Sequence, residues 1–177
     1  MKWLNLIFIG LLWSCQPGDV SDSKQTKAEE KPVAHQKQNN IESTRAYLER
    51  EREQIKAFMD TNQYHWKNTG MGMFYTLLDS SSSSQTPKDG QTVTFSYATL
   101  SLNGDLYYSS QETGNRSLRL GKQDAELGLH DALKLIHLGD KALFILPSHL
   151  AFGVAGDQKR IPPRAPLLYE IEIIAIN

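Results

Sequence analysis

Apolar and polar positions alternate most cleanly in two stretches of this 177-residue chain. In QTVTFSYATLSL, Val93, Phe95 and Tyr97 fall on one face and Thr92, Thr94 and Ser96 on the other, which predicts a half-buried strand. In LLYEIEII, Leu167, Tyr169, Ile171 and Ile173 oppose Glu170 and Glu172, which predicts another at the C-terminus. Shorter runs fill the interval. GMGMFYTLLD, DLYYSS, SLRLG and KALFILP read as strands, with Asn103-Gly104 a hairpin turn and the serine-rich stretch from Ser80 a loop ending at Asp89-Gly90. SHLAFGVAGDQKRIPP reads as a long loop closed by a stiff Ile161-Pro162-Pro163 elbow.

The period lengthens in two places. IESTRAYLEREREQIKAFMDT, residues 41–61, is dense in helix formers, and Ile41, Leu48 and Ile55 recur every seven residues with Phe58 and Met59 extending the stripe. That stripe suits either packing on the protein's own core or a dimerisation seam. Asp124 is placed to cap a second helix reaching about His137, with Leu129, Ala132, Leu133 and Ile136 inward. Many strands around one short helix predict an α+β fold with an antiparallel sheet, preceded by an N-terminal helix.

Composition adds boundaries. The opening MKWLNLIFIGLLWSC has an apolar run too short to span a bilayer and reads as a signal segment, residues 1–15. Cys15 after a small residue resembles a bacterial lipobox, in which the cysteine is acylated and anchors the protein in a membrane of the cell envelope. An ordinary signal peptide with an incidental cysteine is the alternative. Residues 16–40 are polar and read as a flexible tether, 41–66 as the charged helix and 67–177 as the globular domain. A net charge of -1 gives no electrostatic ground for nucleic acid, and a single cysteine excludes an internal disulfide framework.

Familiar catalytic motifs are absent: no Gly-x-Ser-x-Gly, no complete phosphate loop (LGKQ lacks the first glycine and the Ser/Thr) and no His-Glu-x-x-His. His130, Asp131 and His137 do not make a tight metal-ligand spacing, and a helix C-terminus accounts for His137. What remains is aromatic: Tyr97, Tyr107, Tyr108, Phe152 and Tyr169.

Their order, with the motifs around them, resembles the FKBP-type peptidyl-prolyl isomerases from about Pro87 to Asn177. VTFSYATLSLNGDLYYSS, LGKQDAELGLHDALKLIHLGDKALFILPSHLAFGVAG and IPPRAPLLYEIEII carry the resemblance. It implies a five- or six-stranded antiparallel half-barrel wrapped on one short helix, with the site between them. It also implies X-Pro rotation in proline-containing polypeptide clients without a cofactor. Residue by residue, it places Tyr97, Tyr108, Phe152 and Tyr169 in the catalytic pocket. Tyr107, Ala125, Glu126, Leu129 and Ile161 become its substrate-binding surround. Several positions depart from the family pattern. Tyr108 stands for an Asp, Phe152 for a Tyr, Leu129 for a Trp, Glu126 for an apolar residue and Arg116 for a Phe. A binding or chaperone module, or an envelope scaffold docking through the 41–61 helix, is the competing expectation. The order of lipid signal, tether, helix and domain is also similar to gliding-motility-associated isomerase lipoproteins of Bacteroidetes.

Overall fold

The computed structural model describes residues 31–177 other than Gln123, with side-chain surroundings from Gln38 onward. Residues 1–30, with Cys15, the expected signal segment and most of the expected tether, lie outside the described residues. Residues 39–177 form one compact unit.

Seven strands make one antiparallel sheet: β1 (Lys67–Asn68), β2 (Phe74–Asp79), β3 (Thr92–Leu100), β4 (Leu106–Ser109), β5 (Arg116–Arg119), β6 (Lys141–Leu146) and β7 (Leu167–Ile176). The order is β1-β2-β6-β7-β3-β4, with β5 also on β3. Strand β3 is long enough to take two partners on one side, β5 along Thr92–Phe95 and β4 along Ala98–Leu100. Its other side pairs with β7 from Val93↔Ile176 to Leu100↔Leu168. The alternation is kept: Val93, Phe95, Leu167, Tyr169, Ile171 and Ile173 are buried, while Glu170 and Glu172 keep contact with solvent. The sheet has one or two strands more than the resemblance implies, because β1 is a two-residue ribbon added outside β2.

Against the apolar face lies α3 (Leu127–Leu133). Leu129, Ala132, Leu133 and Ile136 are buried as their spacing predicts. The helix is shorter than the expected 124–137. Asp124 does not cap it; Glu126 occupies the N-cap position and makes no side-chain cap, its carboxylate being engaged elsewhere. Beyond Leu133 the chain tightens into bonds spanning three residues, Lys134 to Asp131 and Leu135 to Ala132. His137 therefore lies past the helix, where its backbone N–H and ring Nδ1 meet the Asp140 carboxylate at 2.8 and 3.0 Å. Gly128 lets α3 sit this close to β6: a Cβ there would stand 2.8 Å from Leu146 Cδ2 and 2.9 Å from the Leu150 carbonyl. A four-residue helix, α2 (Ser110–Thr113), and a single 3-10 turn, Ser148–Leu150, complete the unit.

The N-terminal helix α1 spans Lys31–Thr61, so residues 31–40, expected in the tether, are helical, and the helix stops short of residue 66. Its inward face also differs from expectation. Ile41 and Leu48 are exposed, at 48% and 42%, whereas Glu51 and Ile55 are buried and Tyr47 and Phe58 half-buried. Both faces contain Ile55 and depart from it on opposite flanks, since each residue turns the helix by about 100°. The polar partners decide between them. Glu51 accepts the buried Ser148 N–H at 2.6 Å. Tyr47 donates to the Arg164 carbonyl at 2.6 Å, so the Ser148 hydroxyl must donate to Tyr47 across 2.8 Å. Docking there satisfies an N–H that would otherwise be buried without a partner.

Candidate active site

A cavity of about 350 Å3 opens between α3, the sheet and the loop after Ser148–Leu150. Its lining joins Tyr97 and Thr99 from β3, Tyr108 from β4, Arg116 from β5, Glu126 before α3, Phe152, Asp157 and Lys159 from the loop, and Tyr169 from β7. All four residues expected at the catalytic pocket, Tyr97, Tyr108, Phe152 and Tyr169, meet there with Glu126. Leu129, fully buried, and Ala125, packed against the core, are not among the cavity's lining residues. Tyr107 and Ile161 instead line the adjoining groove under Pro162 and Pro163.

Three of the residues that depart from the family pattern, Arg116, Glu126 and Tyr108, are bonded to other residues of the site. Arg116, ten residues before Glu126 and on another element, grips its carboxylate at both ends: Nη1 to Oε1 at 3.3 Å and Nη2 to Oε2 at 3.0 Å. The Tyr169 phenol donates to Oε1 at 2.7 Å. Burial pushes the Glu126 carboxyl up, but the Arg116 hydrogen bonds and charge outweigh it and hold the group below its ordinary range. Burial and then the neighbouring Glu126 charge push the Tyr169 phenol well above its ordinary value. Burial alone would lower Arg116; the bonds and charge of Glu126 reverse this and raise it.

The second cluster holds the loop. Tyr108 donates to Asp157 Oδ2, while Asp157 Oδ1 accepts the N–H groups of Lys159 at 2.9 Å and Ile161 at 2.8 Å. Arg160 stacks over the Tyr108 ring at 5.0 Å and pairs with Glu112 at 2.6 Å. Asp157 was not foreseen as a site residue. An Asp directly after glycine, able to accept N–H groups two and four residues on, is the local signature that marks it.

Four aromatic rings around the cavity, with no nucleophile–base pair among the described lining residues, suit a reaction that breaks no covalent bond. Such a site can bind a twisted amide better than a planar one and lower a rotation barrier of roughly 18–20 kcal/mol.

The model of the FKBP-type peptidyl-prolyl cis-trans isomerase family matches residues 83–174, just over half of the chain. The chain belongs to that family, whose members act on proline-containing polypeptides. It is similar to FK506-binding protein 1 of Kluyveromyces lactis, with 31% identity over 101 residues covering 56% of this chain and 89% of that protein. FK506-binding protein 1 of Debaryomyces hansenii is 30% identical over 92 residues, covering 51% and 82%. Among solved structures, FkpA from Escherichia coli superposes with a TM-score of 0.64 over 88% of this chain and 75% of that one, a likeness of fold at 23% identity.

Proposed function

We propose that this protein rotates X-Pro bonds of client polypeptides in the cavity bounded by Tyr97, Tyr108, Phe152 and Tyr169, and does so in the cell envelope. The observation that carries the catalytic part is the convergence of those four rings from three strands and one loop on a single cavity inside the family-matched segment. No cofactor is required. Desolvation by the rings disfavours the planar, charge-separated amide relative to the twisted one, and each 1.36 kcal/mol of that difference is worth about tenfold in rate. A protease-coupled assay on a proline-containing tetrapeptide tests it. Acceleration that falls with Tyr97→Ala and Tyr169→Ala is expected; none at micromolar protein would refute turnover.

The envelope location rests on the sequence of residues 1–15. Acylated Cys15 would hold the protein at a membrane, with residues 16–30 as tether. Mass spectrometry of the N-terminus of protein purified from membranes is the test, and an unmodified Gln16 terminus would refute it. The resemblance in segment order makes envelope proteins of gliding motility the first clients to try.

One observation favours a second reading, a module that holds proline segments with little turnover. The cavity carries a charged pair, Arg116–Glu126, where the family pattern is apolar. Binding of the tetrapeptide without acceleration would select this reading. For the scaffold reading, the exposed residues Ile41 and Leu48 of α1 offer the docking surface, for a second copy or another envelope protein, and partners lost on changing both to Ser would support it.

A further inference from the structure

Every phenol proton on the cavity lining is already committed. Tyr108 donates to Asp157 and Tyr169 to Glu126. Thr113 gives its own proton to the Ser109 carbonyl at 3.0 Å, so in the 2.8 Å contact between Tyr97 and Thr113 the phenol is the donor. Phe152 has no hydroxyl.

A hydroxyl has one proton and otherwise accepts. To a bound peptide these phenols therefore present lone pairs only. At the X-Pro link the peptide presents the same: the carbonyls of X and of proline accept, and the proline nitrogen carries no hydrogen. A donor is needed to hold such a ligand, and two charged side chains of the lining can serve. Lys159 is exposed, on the loop. Arg116 is fixed. Two of its N–H groups go to Glu126, whose side chain is 4% exposed, while its own is 32% exposed. Three N–H groups are left over, on a fork whose plane the two bonds set.

We propose that Arg116 donates a hydrogen bond to a carbonyl of the bound proline segment and that Glu126 is the positioning residue that aims it. This rests on the same cavity being the X-Pro site. Glu126 neutralises the cation, so the group recognised is a neutral peptide carbonyl rather than an acidic side chain. Which carbonyl follows from the chemistry. The oxygen of the rotating amide loses negative charge as the bond twists, so a donor held on it would favour the planar form and slow the reaction. The carbonyl of the proline residue itself keeps its charge throughout. A bond to it is equally strong in the ground and twisted states, and such a bond lowers KM without changing kcat.

The test compares Glu126→Gln with the double variant Arg116→Met/Glu126→Gln, which lacks the donor without leaving a buried carboxylate unpaired. With a proline-containing tetrapeptide, KM of the double variant should exceed that of the single by about 10- to 100-fold, the worth of a charge-assisted bond, with kcat within about twofold. Equal KM values, or a loss confined to kcat, overturn the proposal. A second readout needs no variant to fold and no turnover. In the wild-type protein, labelled with nitrogen-15 in its arginines, the Arg116 side-chain N–H resonance should shift on saturation with the tetrapeptide. An unmoved resonance overturns the proposal. A shift without acceleration would sustain it while the isomerase reading alone fails.

Discussion

The phenol of Tyr108 donates to the carboxylate of Asp157, 49 residues further along the chain, and so joins the β4 edge of the cavity to the loop that closes it. The same carboxylate accepts two N–H groups of its own loop. One side chain thereby fixes both the loop's shape and its place against the sheet.

Replacing Asp157 with Ala should free that loop and lower kcat/KM by about 10- to 100-fold, the scale on which misplaced walls act. The acid response gives a second check. Partial burial pushes the Asp157 carboxyl up, but the Tyr108 phenol and the N–H groups of Lys159, Ile161 and Arg160 bring it below its ordinary value. A lowered folded pKa stabilises above the unfolded value of about 3.9, and that contribution disappears as pH falls through the folded value. The gap in thermal midpoint between wild type and Asp157→Asn should therefore close on acidification from about pH 5 to about pH 2. A constant gap would show that the charge contributes nothing.

Glu51→Ala should remove the acceptor of the buried Ser148 N–H at a cost of about 1–3 kcal/mol, seen as a thermal midpoint lower by several degrees. Phe152 follows Leu150 by two residues, so kcat/KM should fall along with stability. Unchanged melting would mean that α1 contributes little to the unit.

Gly156 has φ +65°, and a Cβ there would lie 2.3 Å from the Ile161 carbonyl oxygen and 2.8 Å from Pro162 C. Alanine would add the left-handed penalty of about 1–2 kcal/mol to a clash with backbone. Loop opening should appear as faster proteolysis between residues 153 and 163, together with lost activity. Protection equal to wild type would refute this account of the glycine.

Phe152→Tyr would introduce a hydroxyl at a position where no neighbour has yet claimed its proton. Tetrapeptide affinity should rise about 2- to 10-fold, the net worth of one neutral hydrogen bond. Calorimetric titration decides it, and unchanged affinity would mean that Arg116 already satisfies the ligand's carbonyls.

The sheet was legible wherever one face meets the core. Val93 and Phe95, or Ile171 and Ile173, reveal their strands because burial imposes a period of two. The four pocket rings were legible through motif order. The polar architecture was not. Glu126 and Arg116 each look misplaced when read alone, because sequence does not display a partner on another element. Asp157 resembles any loop aspartate until Tyr108 is brought to it. On α1 the seven-residue spacing of Ile41, Leu48 and Ile55 pointed to a face of which the fold buries Ile55 and leaves Ile41 and Leu48 in solvent, since the inward side is chosen by Tyr47 and Glu51 finding Ser148 and Arg164. Apolar periodicity carries no record of such bonds.

The pairing of Arg116 with Glu126 also limits how this site could have arisen or could revert. Starting from two apolar residues, either change made first strands a charge in the cavity wall, and the cost is greatest for Glu126, the buried member of the pair. The two positions therefore form one inherited unit, to be kept or exchanged together. Any relative carrying one half of the pair without the other should have its orphaned charge answered from somewhere else in the cavity.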